Sequence, residues 1–268
     1  MATVREGKVV IFGAGGPVGA TAIGALKDHY TLRSTDVRPM EEICREESPQ
    51  GPRAPVPELL GPPHENHVVD IAVYDQVLEA CEGMDAIINV SVVRPHPVRA
   101  FTVNMVGAYN VAKAAVACGV KRLIHTGPFH VSLGHDADYW NDFGVVDDVP
   151  LHPGDDLYAL TKYLGGEISR TFTQRCPLEV LTFLYCGFRP AEVRPDERGK
   201  GVGTFTVSWE DTGEAFLYGL RAPEMPQPYE VFFICSPTPD RKHRVDKAKR
   251  LLAWEARDTF EELYRVQS

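Results

Sequence analysis

Tyr158 and Lys162, in the run Leu157-Tyr158-Ala159-Leu160-Thr161-Lys162, stand four residues apart and so share one face of a helix. A neighbouring ammonium favours the phenolate, which would let Tyr158 act as a general base near neutral pH. Lys162 has a second use, holding the hydroxyls of a ribose. Near the start of the chain, Gly13-Ala14-Gly15-Gly16-Pro17-Val18-Gly19 follows the apolar run Lys8–Phe12. Glycines at 13, 16 and 19 allow a tight turn, close backbone approach to a pyrophosphate and close helix packing. Pro17 suits a first helical turn, and a helix opening there offers free N–H groups and a positive dipole end to phosphate. Gly13, Gly16, Pro17, Val18 and Gly19 are therefore candidate contacts for a dinucleotide. Asp36 lies 23 residues after Gly13. Its carboxylate would accept hydrogen bonds from both adenosine ribose hydroxyls and repel a 2′-phosphate, which favours NAD over NADP. Arg33 and Arg38 nearby are the counter-signal.

These residues need a scaffold that gathers strand ends, and the pattern supplies one. After the first strand and a helix from about Pro17 to Asp28, short apolar runs at 30–35, 68–69, 86–90, 122–125 and 180–185 read as strands. Helical segments separate them at 74–81, 102–118 and 157–172. Continuous apolar strands alternating with helices indicate a parallel sheet covered on both faces. The fold expected is therefore α/β, a doubly wound, Rossmann-like parallel sheet over residues 1–186, with a small C-terminal substrate lobe over 187–268 that is contiguous with the core. Two stretches break the alternation. Residues 44–66 carry six prolines and read as a long irregular insert, mobile or functional, with mobility favoured. Beyond 187 the glycines, prolines and arginines give way to a helix near Asp211, a strand at 230–235 and a terminal helix.

Composition removes several classes. Apolar residues at 44% and charged residues at 24% are those of a globular chain, and 23 Gly with 21 Pro follow no collagen-like period. A net charge of −9 argues against a broad nucleic-acid footprint. Six cysteines, far apart and without any C-x-x-C, point to reduced thiols in a cytoplasmic protein and to no metal. The uncharged run from Val9 to Leu26 contains five glycines and a proline, so strand, turn and helix explain it better than a leader or a membrane span.

Taken in order, the glycines at 13, 16 and 19, Asp36, Asp70, the Asn104–Gly107 helix and Tyr158/Lys162 resemble the extended short-chain dehydrogenase/reductase superfamily, over roughly residues 8–190. Asp36-Val37-Arg38-Pro39, Asn104 to Asn110 and Phe129-His130-Val131 look most like the uronate dehydrogenases within it. The resemblance implies NAD as cofactor, a small sugar or uronate whose hydroxyl is oxidised, Tyr158 as base and Lys162 as its support. It implies a dimer at the family level, and a homodimer stays open. One position departs. Where the superfamily has a serine or threonine on the reacting hydroxyl, His125-Thr126-Gly127-Pro128-Phe129-His130 places Pro128. Thr126 is the candidate substitute, with Ser132 and His130 behind it. A nucleotide-sugar epimerase or dehydratase, and a non-catalytic NAD-binding sensor or scaffold, are the alternative functions.

The remaining candidates follow strand ends. Asp70 and Ile71 after the third strand would face the adenine; Asn89 and Ser91 after the fourth would face the nicotinamide side, with Asn104 behind them. For substrate, His130 and the forked guanidiniums of Arg189 and Arg194 are candidates. Arg198 accompanies them. The basic run 240–250 reads as the outer face of an amphipathic helix, since Val245, Ala248 and Leu252 recur at helical spacing. Tyr139, Trp140 and Phe143 read as packing residues or a pocket wall.

Overall fold

A computed structural model describes residues 3–133, 144–203, 205–239 and 241–264. Tyr139, Trp140 and Phe143 lie outside the described residues.

Strand β1 (Lys8–Phe12) buries four of its five residues, and their alternation sorts them between two cores. Val9 and Ile11 face one apolar cluster and Val10 and Phe12 the other, the two-residue period of a strand covered on both sides. Around β1 lie β2 (Thr31–Asp36), β3 (Glu65–Val68), β4 (Ala86–Asn89), β5 (Arg122–Pro128), β6 (Glu179–Tyr185) and, further along, β9 (Tyr229–Phe233). They form one seven-stranded sheet in the order β3-β2-β1-β4-β5-β6-β9, and every pairing is parallel. Helices α1 (Pro17–Leu26) and α8 (Trp209–Arg221) pack together over one face. On the other lie α3 (Tyr74–Cys81), α5 (Gly107–Ala117) and α7 (Leu157–Thr173). The doubly wound sheet is thus present. Its strand order reverses direction between β1 and β4, where ligands of such sheets bind.

Three expectations about the irregular parts change. The strand near 230 does not stand apart from the sheet: β9 pairs in register with β6, from Val180↔Tyr229 to Leu184↔Phe233. Only the short parallel pair β7 (Gly187–Arg189) and β8 (Thr206–Ser208), with its neighbouring loops, lies off it. The proline-rich insert is anchored rather than loose. It begins with the short helix α2 (Met40–Ile43); Ser48 and Leu60 are buried, Asn66 donates to the Leu60 carbonyl at 2.8 Å, and Arg53 reaches Glu197 at 3.0 Å. Prolines fix much of this backbone in advance, so few contacts suffice to hold it. Finally, the amphipathic terminal helix shrinks to a turn at Ala248–Leu252. Ala253 adopts a left-handed conformation (φ 58°) and drops Trp254 into the core, which ends the helix.

Candidate functional site

The turn after β1 is shaped by what its glycines permit. Gly13 has φ +81°, and a Cβ there would meet the backbone nitrogen of Ser91 at 2.7 Å, so β1 and the loop after β4 touch only because no side chain intervenes. At Gly19 a Cβ would sit 2.5 Å from the Ala14 carbonyl, which lets α1 start directly above the turn. Gly16 is different. A Cβ there would find only the Gly13 carbonyl, at 3.7 Å, so its backbone is bare toward the adjoining space. That space is a cavity of about 310 Å³ bounded by Gly13, Gly16, Pro17, Val18 and Gly19 on one side. Tyr158, Lys162, Thr126, Pro128 and His130 bound it on the other. A second cavity of about 110 Å³, lined by Asp36, Asp70, Ile71 and Ser91, meets the first at Gly13 and Val92. Together they form a trough across the carboxyl ends of the central strands.

Asp36 lies where the trough needs an acceptor. Its Oδ2 accepts from the Gly15 N–H at 3.0 Å and its Oδ1 from the Val37 N–H at 2.8 Å, which fixes the carboxylate's orientation. Arg38 borders a neighbouring cavity with Gly15, Gly16 and Asp36, its two terminal nitrogens on Glu46, and Arg33 is bound to Glu65 and to three carbonyls. Asp70 caps the start of its turn through the Ala72 N–H at 2.9 Å and still borders the second cavity.

Asn89 and Asn104 are corrected. Asn104 is 2% exposed, and its amide is fully engaged: Oδ1 accepts from the Val93 N–H, while Nδ2 donates to the Val93 carbonyl and to Thr161 Oγ1. It clamps the loop after β4 to α7 and offers nothing to a ligand. Asn89, 3% exposed, spends its Oδ1 on the Ser91 N–H at 3.1 Å. Both residues set the shape of the loop at 91–93 from behind the trough.

Helix α7 carries the reactive pair. Asp156 caps it, accepting from the Ala159 N–H at 2.7 Å, and so fixes the first turn on which Tyr158 sits. Tyr158 and Lys162 do share one face and one cavity. Their electrostatics differ from the simple expectation. Lys162 Nζ donates to the Ser91 carbonyl at 3.3 Å, and burial, aided by the positive charge of Arg94, lowers its pKa to about 7. Burial raises the pKa of Tyr158 against the opposing positive charge of Arg94. The Arg94 guanidinium lies 4.8 Å from the centroid of the Tyr158 ring. Thr126 borders the cavity, its hydroxyl donating to the Asn89 carbonyl at 3.1 Å. Pro128, the last residue of β5, borders it with no hydroxyl.

Arg189 and Arg194 do not border the trough. Arg189 pairs with Glu197 at 3.1 Å and lies over the Phe260 ring at 5.0 Å. Arg194 is exposed and supplies a backbone N–H to the same carboxylate. Glu197 collects Arg53 and Arg189 and so consumes the charge a substrate clamp would need. His130 remains at the cavity wall. Sequence reasoning missed Arg94, Gln50, Asp156 and Cys186, all of which line the cavity. Asp156 was legible as an N-cap directly before the helix. Arg94 and Gln50 lie in loops whose course only the folded chain reveals.

The trough at the strand-order switch, the glycine turn and the tyrosine–lysine helix define a dinucleotide-binding α/β protein of the dehydrogenase type. Residues 10–140 match the model of the 3-beta hydroxysteroid dehydrogenase/isomerase family. Over 94% of its length the chain is 26% identical to the L-arabinose 1-dehydrogenase (NAD(P)(+)) of Haloferax volcanii, covering 96% of that enzyme. It is 24% identical to the uronate dehydrogenase of Pseudomonas syringae pv. tomato over 81% of this chain and 71% of that one. In structure it superposes on the uronate dehydrogenase from Agrobacterium tumefaciens with a TM-score of 0.73 at 20% identity, covering 95% of this chain and 86% of that one, a likeness of fold. In sequence and in fold the chain is similar to these dehydrogenases. Among the described residues no helix is long and apolar enough to cross a membrane, and no three His, Cys, Asp or Glu side chains group as a metal site.

Proposed function

We propose that the protein is a cytoplasmic, NAD-dependent oxidoreductase that oxidises a hydroxyl of a small sugar or uronate. The observation that carries this reading is that Tyr158 and Lys162 border the same cavity as the bare glycine turn. The dinucleotide, when bound, supplies the hydride acceptor. The chain supplies the rest. Gly13, Gly16, Pro17, Val18 and Gly19 would cradle the pyrophosphate, with the first-turn N–H groups of α1 aimed at it. Asp36 would take the adenosine ribose and reject a 2′-phosphate; Asp70 and Ile71 would border the adenine. Lys162 and the Ser91 carbonyl would hold the second ribose. Tyr158 takes the proton of the substrate hydroxyl, and Thr126 is the hydroxyl group left to orient that substrate, with His130 beside it. The relatives' activities, on L-arabinose and on uronates, support a sugar-sized substrate. So does a cavity of about 310 Å³ that must also admit part of the cofactor. A separate lobe over 187–268 would reduce to β7, β8 and the loops around them. Exposed Val98, Phe101, Val106 and Tyr109, on the helical stretch before and within α5, support a homodimer.

The test is NADH formation, followed optically, from a panel of uronates and aldoses. At least one is oxidised, and Tyr158→Phe lowers its turnover by roughly 100-fold or more, the usual scale of a lost general base. If NAD binds and no uronate or aldose is turned over, the dehydrogenase reading fails.

A further inference from the structure

The proline-rich insert stands beside the glycine turn. Gln50 borders the main cavity together with Gly16, Pro17 and Val18. Ser48 and Pro49, with Pro55 and Pro57, border a third cavity of about 280 Å³ that Gly15, Gly16 and Asp36 also line. Gly16, whose backbone is bare, thus bounds both cavities, and the insert walls both. The insert is held there from three directions. Ser48 is buried; its hydroxyl accepts from the Gln50 N–H at 3.4 Å and its carbonyl from the Gly51 N–H at 3.0 Å. Glu58 pairs with Lys27, at the end of α1. Arg53 reaches the chain after β7, with Nη1 on Glu197 at 3.0 Å and Nη2 donating to the Glu192 carbonyl at 2.9 Å. Glu197 is itself fixed by the Arg189 guanidinium at 3.1 Å and the Arg194 N–H at 2.8 Å. The insert's carboxylates Glu46 and Glu47 border the third cavity and not the main one. Toward the trough it presents the amide of Gln50, whose two N–H donors suit a phosphate oxygen.

We propose that the proline-rich insert is part of the dinucleotide site: Gln50 donates its side-chain amide to the pyrophosphate, and the Arg53–Glu197 ion pair clasps the insert to the β7–β8 module so that nucleotide leaves slowly. This rests on the reading of the trough as a dinucleotide site and is independent of which sugar is oxidised. The glycine turn supplies backbone donors from beneath, and the insert closes the pyrophosphate from outside. Its prolines restrict the backbone in advance, so little freedom is lost when the wall forms around the ligand. The clasp joins the nucleotide half of the trough to the segment after β6, which no contact within the glycine turn could do.

The experiment measures NADH binding to the full chain by fluorescence, at equilibrium and by stopped-flow displacement with excess NAD, without any sugar. Gln50→Ala weakens NADH roughly tenfold, the scale of one hydrogen bond to a charged group, and weakens ADP-ribose equally, since both carry the pyrophosphate. Arg53→Ala releases NADH roughly fivefold faster or more with no slower association, and Arg53→Lys, which keeps the charge, stays closer to the parent. Trypsin gives a second readout: NADH protects the bond after the exposed Arg45 in the parent, and less so in Arg53→Ala. Parent-like affinity in Gln50→Ala, or a loss confined to NADH and absent with ADP-ribose, overturns the role of Gln50. Parent-like release in Arg53→Ala, or cleavage that NADH leaves unchanged in the parent, overturns the clasp. The assigned reaction is tested separately. Faster release in the variants with no sugar oxidised supports the insert and sinks the reaction, while NADH formation from a sugar with parent-like binding in both variants does the reverse.

Discussion

Glu179→Leu removes one carboxylate from beneath the sheet, and its cost can be worked from the contacts. Arg122 is fully buried at the start of β5, in register with Glu179 at the start of β6. Its Nε donates to Glu179 Oε2 at 2.8 Å, and Nη2 also donates to that oxygen. Its other hydrogens go to the carbonyls of Gly219, Leu220, Ala222 and Pro223, where the chain leaves α8. Glu179 Oε1 accepts from the Met225 N–H at 2.7 Å. Leucine would leave a buried cation uncompensated, which costs about 3–5 kcal/mol, and would orphan that N–H. The two losses overlap, so a net destabilisation of about 4 kcal/mol is expected. For a domain of this size that lowers Tm by roughly 8 °C. Urea denaturation followed by circular dichroism measures it, with an unchanged m-value marking a true stability effect. Glu179→Gln, which keeps an acceptor for Met225, loses less. The pair lies at the strand ends opposite the trough, so kinetic constants of folded Glu179→Leu stay near those of the parent. A loss below about 1 kcal/mol would refute the reasoning, because the four carbonyls would then be neutralising the guanidinium unaided.

Two further outcomes follow from single side chains. Asp36→Asn keeps an acceptor for one backbone N–H but drops the charge facing a 2′-phosphate. A unit pair near 4 Å in water is worth about 1 kcal/mol and the phosphate carries nearly two charges, so the preference for NAD over NADP in kcat/KM should shrink by roughly 10- to 30-fold. Burial raises the Asp147 carboxyl from 3.8 to about 6 against the pull of Lys247. The folded state therefore holds a proton that the unfolded chain has released, and this stabilisation, up to about 3 kcal/mol, is complete below pH 4 and lost as pH rises through 6. Asp147→Asn should flatten Tm between pH 4 and 7, which a thermal melt series detects.

Much of the trough could be read before the structure, because its parts are local. Gly13 to Gly19 lie in one turn, and Asp36 ends the next strand. Tyr158 and Lys162 are neighbours on a single helix, so helical geometry alone brings them together. The clamp residues were legible only in part. Asn104 has the right position but faces inward, since both its amide atoms find partners on Val93 and Thr161. Arg189 and Arg194 have the right chemistry for a substrate anion, yet Glu197 pairs with the Arg189 guanidinium and neither arginine borders the trough.

What the sequence determined by itself is the sheet, the glycine turn and the tyrosine–lysine pair, because each arises from residues within one turn, one helix or one alternating run. Tertiary structure decided which charges act on which groups. It placed β9 beside β6 across more than forty residues of chain, tied the proline-rich insert to Glu197 through Arg53, and brought Arg94 over the Tyr158 ring. Electrostatic influence falls with distance in space, not with separation along the chain, so the cation over the Tyr158 ring could be found only once the loop after β4 had been folded against α7.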